Sequence, residues 1–278
     1  MTSSRRSMLF FSPALAYDAY AIIAQPGKVA KGHKKIKSFC WAGVMRQQVY
    51  AILVLFCLRP AVPAVECRFE QVLPAPPDGQ LLSRSKGQER AVILIHGLIA
   101  HPINKNAVRR PQLRDWQKPE GELVRELAKL ADVFAFAYSQ ETPVEQIVPR
   151  CTLGQDVATL KKLGYREIVL IGHSAGGLIA RQLVEDRPDL GVTKVIQVCS
   201  PNAGSSLAKV PVVRANQKPF LQSLTSKARE KVLQERNGKK IPARVEFVCV
   251  VGTGAGEGDG VVSLESARLD SAASQIVV

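Results

Sequence analysis

Short continuous runs of apolar residues alternate along this chain with stretches in which apolar side chains recur every three or four positions. AVILI (91–95), DVFAFAY (132–138), EIVLI (167–171), KVIQVC (194–199) and VEFVCVV (245–251) are the runs expected of strands buried on both faces. QIVV (275–278) reads as one more. Between them, Leu123, Val124, Leu127 and Leu130 fall at helical spacing, as do Val157, Leu160 and Leu163, and then Leu178, Ile179 and Leu183. Gly164 ends the second of these helices. Strands alternating with helices predict an α/β fold with a doubly wound, mostly parallel sheet. Residues 205–244 break the rhythm between two strands and predict a small helical cap insertion, with helices around 219–224 and 227–236.

The pattern also divides the chain. Residues 74–90, including PAPPDGQ, are rich in Pro, Gly, Ser and polar side chains. The expected organisation is an N-terminal extension over 1–64, a linker over 65–90 and the α/β domain over 91–278, with no internal repeat. Hydrophobic residues make up 46% and charged residues 22%, so a buried core is available and global disorder is excluded. No window holds 18 uninterrupted apolar residues, as a confident membrane span would.

Inside the extension, residues 45–64 have the three parts of an export signal: Arg46, the apolar stretch 49–58, and Val62-Pro63-Ala64 as a cleavage-like site. Met45 is then a candidate initiator and 1–44 a mis-assigned extension. A signal-anchor or a buried apolar segment are the alternatives. The expected location is exported (periplasmic or secreted) or membrane-associated rather than cytoplasmic.

The net charge of +14 raises anionic partners. Residues 1–44 carry net +6 and residues 209–244 net +8, which together account for all of it. A neutral domain with two basic appendages, without zinc-finger spacing or an RNA-recognition signature, does not point to nucleic acid. The basic cap suggests an anionic membrane surface, or else an ordinary solvated helical pair. Its Phe220, Leu221 and Leu224 are candidates to line an acyl pocket. Of the six cysteines, Cys199 and Cys249 end apolar runs and are expected to be buried; a Cys67–Cys151 disulfide is open if the chain is exported. None lies in a CxxC pair or at metal-ligand spacing, so neither metal nor cofactor is expected.

Three sites carry candidate chemistry. Gly172-His173-Ser174-Ala175-Gly176 follows one predicted strand and precedes a helix. A sharp strand-to-helix turn exposes the serine hydroxyl, and close approach of strand and helix requires Gly172 and Gly176. The following helix start aims backbone N–H groups at an oxyanion. A chance match in a Gly-rich turn is the alternative. Second, His96-Gly97-Leu98 ends a strand. Its loop is expected to supply one oxyanion donor, from Leu98, beside the N–H of Ala175. His96 is read as ordering this loop rather than as a base, and His173 as a packed residue of the turn. Third, Gly258-Asp259-Gly260 follows a late strand, where an acid orients a histidine. A plain Asp-Gly turn is the alternative, and Glu257 the next acid.

AVILIHGL, IVLIGHSAGGLIAR, CSPNAGSSLA and GDGVVSLESARL occur in the order that resembles the lipase/esterase branch of the α/β-hydrolases, near GPI inositol-deacylase-like and triacylglycerol-lipase-like proteins. The resemblance covers about 89–278. It implies Ser174 as nucleophile, Asp259 as acid, and Leu98 and Ala175 as backbone donors. The implied activity is cleavage of a carboxylic ester, of a small molecule or a lipid, through an acyl-enzyme. The family places a histidine just after its last core strand. Here His33, His96, His101 and His173 all precede Asp259. Three readings are open: a truncated or frame-disrupted sequence, an inactive relative that binds without cleaving, or His101 as a substitute base.

Overall fold

Seven strands form one sheet in the order β1-β3-β2-β4-β5-β6-β7 in the computed structural model. The structure describes residues 64–99, 108–205, 215–252, 262–269 and 274–277. In chain order the elements are β1 (Cys67–Leu73), β2 (Arg90–Ile95), α1 (Glu122–Ala128), β3 (Asp132–Tyr138), α2 (Ile147–Arg150), α3 (Leu153–Lys162), β4 (Glu167–His173), α4 (Ala175–Asp186), β5 (Val192–Val198), α5 (Lys218–Ser223), α6 (Ser226–Glu235), β6 (Glu246–Val251), α7 (Leu264–Ala267) and β7 (Ser274–Val277).

β2 to β7 are mutually parallel. Alternation of side chains sorts them onto two cores. Ala91, Ile93 and Ile95 join Phe134, Phe136, Leu153, Val157, Leu178, Ile179 and Leu183 on one face. Val92 and Leu94 join Leu123, Val124 and Leu127 of α1 on the other. Helices therefore cover both faces, as the continuous apolar runs require.

The sheet differs from the sequence reading at one edge. Residues 65–90, expected as a linker, contribute β1, which pairs antiparallel with β3 from Cys67↔Tyr138 to Leu73↔Val133. CRFEQVL interleaves charge with apolar residues because an edge strand has only part of its surface to bury.

The chain passes from β2 outward to β3, then back across β2 to β4. The loops leaving β2 and β4 therefore diverge from neighbouring strands, the crevice where parallel sheets bind ligands. Ile95 lies opposite Gly172 in the register, so residues 96–98 and Ser174 emerge side by side.

The insertion between β5 and β6 contains α5 and α6, close to where the pattern put them. Its apolar side is turned inward. Phe220 is fully buried with its ring 5.9 Å from that of Tyr138, and Leu221 and Leu224 belong to the same core. These three residues anchor the insertion to the domain instead of lining an open acyl pocket, because packing against the aromatic end of β3 removes them from solvent. The insertion's charge is divided too. Arg229 is 5% exposed and Arg236 bonds Glu185 and Asp186 of α4, whereas Lys218, Lys227, Lys231 and Lys240 face water.

Among the described residues, no helix is long and apolar enough to cross a membrane. No group of three or more His, Cys, Asp or Glu among them is placed to hold a metal ion. Residues 45–63 of the signal-like segment lie outside the described residues.

Candidate active site

Ser174 sits between β4 and α4 with φ 53° and ψ −124°, a left-handed conformation for a residue that carries a Cβ. Such backbone costs about 1–3 kcal/mol and persists only where its surroundings over-determine it. Here the surroundings are specific. The Ser174 N–H donates to Val198 O at 2.8 Å, and Ser174 O accepts from Gly177 N–H at 3.0 Å. A Cβ on Gly172 would lie 2.4 Å from Gly177 N, and one on Gly176 would lie 2.2 Å from Ile95 O. Neither distance is sterically accessible, so the two glycines let strand and helix cross where they do. The serine side chain is left partly exposed, while Ala175 behind it is fully buried at the first turn of α4.

Gly97 closes the other side. A Cβ there would meet Ser174 Cβ at 2.6 Å and the His173 carbonyl at 2.9 Å. The loop after β2 thus passes against the serine, with Leu98 as the next residue, partly exposed and packed on the core. Two glutamines hold this loop. Gln140, just beyond β3, donates from Nε2 to Gly97 O at 2.8 Å and accepts at Oε1 from Ile99 N–H at 2.9 Å. Gln217, from the insertion, donates from Nε2 to Ile99 O and to Gln140 Oε1, both at 2.7 Å. Gln140 is 2% exposed and Gln217 fully buried, so these bonds are shielded from water. Sequence reasoning missed both, since a single amide beside a strand leaves no periodic trace.

His96 is fully buried and stacks on Tyr138 with ring centroids 4.5 Å apart. Its Nδ1–H donates to Gly97 O at 2.8 Å, which leaves Nε2 as the acceptor nitrogen. Tyr138 donates its hydroxyl to His96 O at 2.8 Å. Burial pulls His96 down to about 4, against the hydrogen bond to Gly97 and with the charges of Arg114 and His173 adding to burial. His96 is therefore a neutral ring built into the loop. His173 is partly exposed and meets Trp116 edge-on at 6.3 Å.

Behind the serine, Gln197 donates to Gly177 O at 2.8 Å, and Asn202 Nδ2 bonds Gln197 Oε1 at 3.0 Å and Ala267 O at 3.1 Å. The CSPNAGSS stretch thereby ties the start of α4 to α7. Asp259, Glu257, His33 and His101 lie outside the described residues. The segments flanking residues 253–261 do not: β6 ends at Val251, one residue past Val250, which pairs with Val198 of β5, and Ala267 bonds Asn202. Both flanks stand at the sheet edge from which Ser174 projects.

This geometry invites comparison with known proteins. The sequence profile of the alpha/beta hydrolase fold matches residues 90–236, more than half of the chain and the span that contains both Gly97 and Ser174. The chain belongs to the α/β-hydrolase fold family. This α/β hydrolase has no match among curated proteins by sequence. Among solved structures it is similar in fold to the lipase BlEst2 of Bacillus licheniformis in its mature form, at 14% identity and a TM-score of 0.54, with 76% of this chain and 89% of that one covered. The propeptide form of the same lipase matches at 14% identity and a TM-score of 0.54, over 78% of this chain and 49% of that chain.

Proposed function

We propose that this α/β hydrolase cleaves carboxylic esters, of small molecules or lipids, through an acyl-enzyme on Ser174. In this reading the Ser174 hydroxyl attacks the ester carbonyl, and the backbone N–H groups of Leu98 and Ala175 hold the oxyanion. His96, Gly97, Gly172, His173 and Gly176 shape the turn and the loop, and Asp259 is the acid. The observation that carries the reading is the left-handed Ser174, partly exposed and pressed against Gly97. A buried structural serine has no use for such strain, and a nucleophile needs the exposure. The α/β-hydrolase family and the fold of the BlEst2 lipase support the same chemistry.

A second reading rests on the bases. His96, the histidine beside Gly97, is a neutral ring locked in the loop. On that reading the protein is a binding protein on a hydrolase fold, because a serine without a base retains only oxyanion and binding effects. A fluorophosphonate probe with S174A as control separates the two. The hydrolase reading expects stoichiometric labelling of Ser174 and turnover of p-nitrophenyl esters across chain lengths. Ester binding without labelling or turnover rejects it in favour of the binding protein.

Export and an anionic membrane surface belong to the proposal as well. The water-facing lysines of the insertion support the latter. Salt-sensitive binding to anionic vesicles and none to neutral ones is expected, and N-terminal sequencing of the mature protein tests cleavage near residue 64.

A further inference from the structure

Cys67 and Cys151 take no part in the proposed chemistry. Cys67 opens β1 opposite Tyr138, and Cys151 caps α2. The backbone fixes them together: Val65 N–H donates to Arg150 O at 2.8 Å, and Ser139 N–H to Glu66 O at 2.8 Å. Cys151 Sγ donates to Val148 O at 3.8 Å, and Cys151 directly precedes Thr152, the residue that meets Cys67 Sγ. Both are partly exposed and carry no disulfide, unlike the buried Cys199 and Cys249. Thr152, at the N-terminus of the ten-residue α3, brings its backbone N–H to 3.5 Å and its hydroxyl oxygen to 3.2 Å from Cys67 Sγ. A thiolate at Cys67 is thus met by a backbone donor and the positive end of a helix.

We propose that Cys67 and Cys151 form a thiol–disulfide exchange site, with Cys67 the attacking sulfur and Cys151 the resolving one, whose closed form ties the β1 edge to the corner between α2 and α3.

The electrostatics assign the roles. The neighbouring Cys151 side chain, opposed by burial and aided by Thr152, holds Cys67 down to about 6. Cys67 in turn, together with burial, pushes the Cys151 thiol up. Asp156, a carboxylate near the pair, is itself raised to about 6, by burial first and by the charge of Cys67 also, against its hydrogen bond with Thr152. Of the two thiols, Cys67 is therefore the one that ionises first. The partner is a small-molecule disulfide. The Cys67 thiolate attacks one of its sulfurs, forming a mixed disulfide and expelling one thiolate. Cys151 then gives its proton to water, and its thiolate attacks Cys67 Sγ, expelling the second. Two protein thiols are oxidised, and one small disulfide is reduced to two thiols.

The test uses the full chain, fully reduced, then treated with oxidised glutathione. The expected product has lost two hydrogens by mass, with Cys67 linked to Cys151 in peptide maps, and melts about 5 °C higher. C151S stops at one glutathione on Cys67, and C67S reacts at Cys151 at least about tenfold more slowly. Reduced C67S and C151S that melt within about 2 °C of the reduced parent exclude misfolding as the cause. Linkage of other cysteines, or a folded C151S that leaves Cys67 unmodified, overturns the proposal. Neither result bears on ester cleavage, which is measured separately.

Discussion

A methyl group on Gly97 would lie 2.6 Å from the Cβ of Ser174, so the loop after β2 and the turn after β4 are in contact with no room between them. In the proposed mechanism that contact positions the Leu98 N–H against the serine. G97A must push the loop outward by several tenths of an ångström. The expected result is about a hundredfold loss of kcat in ester hydrolysis, in the range of losing one oxyanion donor. The melting temperature changes by only a few degrees. Undiminished turnover in G97A rejects Leu98 as a donor.

The amide of Gln217 reaches the same loop from the insertion. Q217A leaves Ile99 O and Gln140 Oε1 short of a donor, in a place closed to water. A loss of about 1–3 kcal/mol in denaturant unfolding is expected, with kcat falling more than KM rises. A change confined to KM assigns Gln217 to substrate contact rather than to loop positioning.

Gly177 and Ser200 form a second tight pair. A Cβ at 177 would sit 1.9 Å from Ser200 Oγ, and that buried hydroxyl has no hydrogen-bond partner among the described residues. G177A alone is expected to destabilise by about 1–3 kcal/mol from overpacking. G177A/S200A should recover most of the loss, aided by alanine's better helix propensity. Additive melting shifts in the double variant defeat the pairwise account.

Burial keeps His96 neutral to about pH 4, against 6.5 for a free imidazole. Between those values the unfolded chain binds the extra proton. Stability from this residue is complete above about pH 6.5 and declines as the pH falls toward 4, by up to about 3 kcal/mol. The difference in unfolding free energy between the parent and H96N should therefore shrink from pH 7 to pH 4. A constant difference across that range dismisses the buried neutral ring as its source.

Glu185 of α4 carries the insertion's ionic attachment. Its carboxylate is 3% exposed and accepts from Arg181 Nε and from Arg236 Nη2, both at 2.6 Å. E185A leaves the partly buried Arg181 without this carboxylate and Arg236 with only Asp186, and should cost about 3 kcal/mol in urea unfolding. A cost no larger than that of an exposed pair such as Lys231–Glu235 contradicts the anchoring role.

The buried strands were legible because each is a closed apolar run. DVFAFAY is β3 to the residue, and EIVLI is β4 without its last two positions, Gly172 and His173. The insertion helices were legible from periodicity within a residue of their ends. β1 was not, because CRFEQVL draws its order from hydrogen bonds to β3 and not from its own composition. At the site, the pattern around Ser174 named the turn and its glycines, since sterics demands them. It was silent on Gln140 and Gln217, whose partners are backbone groups that any sequence supplies. It also misjudged Phe220, Leu221 and Leu224, because an apolar side chain looks the same whether it faces a core or a cavity.

A surface insertion is the part of a fold that drifts most freely, yet Gln217 stitches this one to the strand-end loop that touches Ser174. Variation that spares the amide leaves both of its hydrogen bonds in place. Variation that removes it frees Ile99 and Gln140 at once, so the loop beside Ser174 depends on a residue contributed by the most changeable part of the chain.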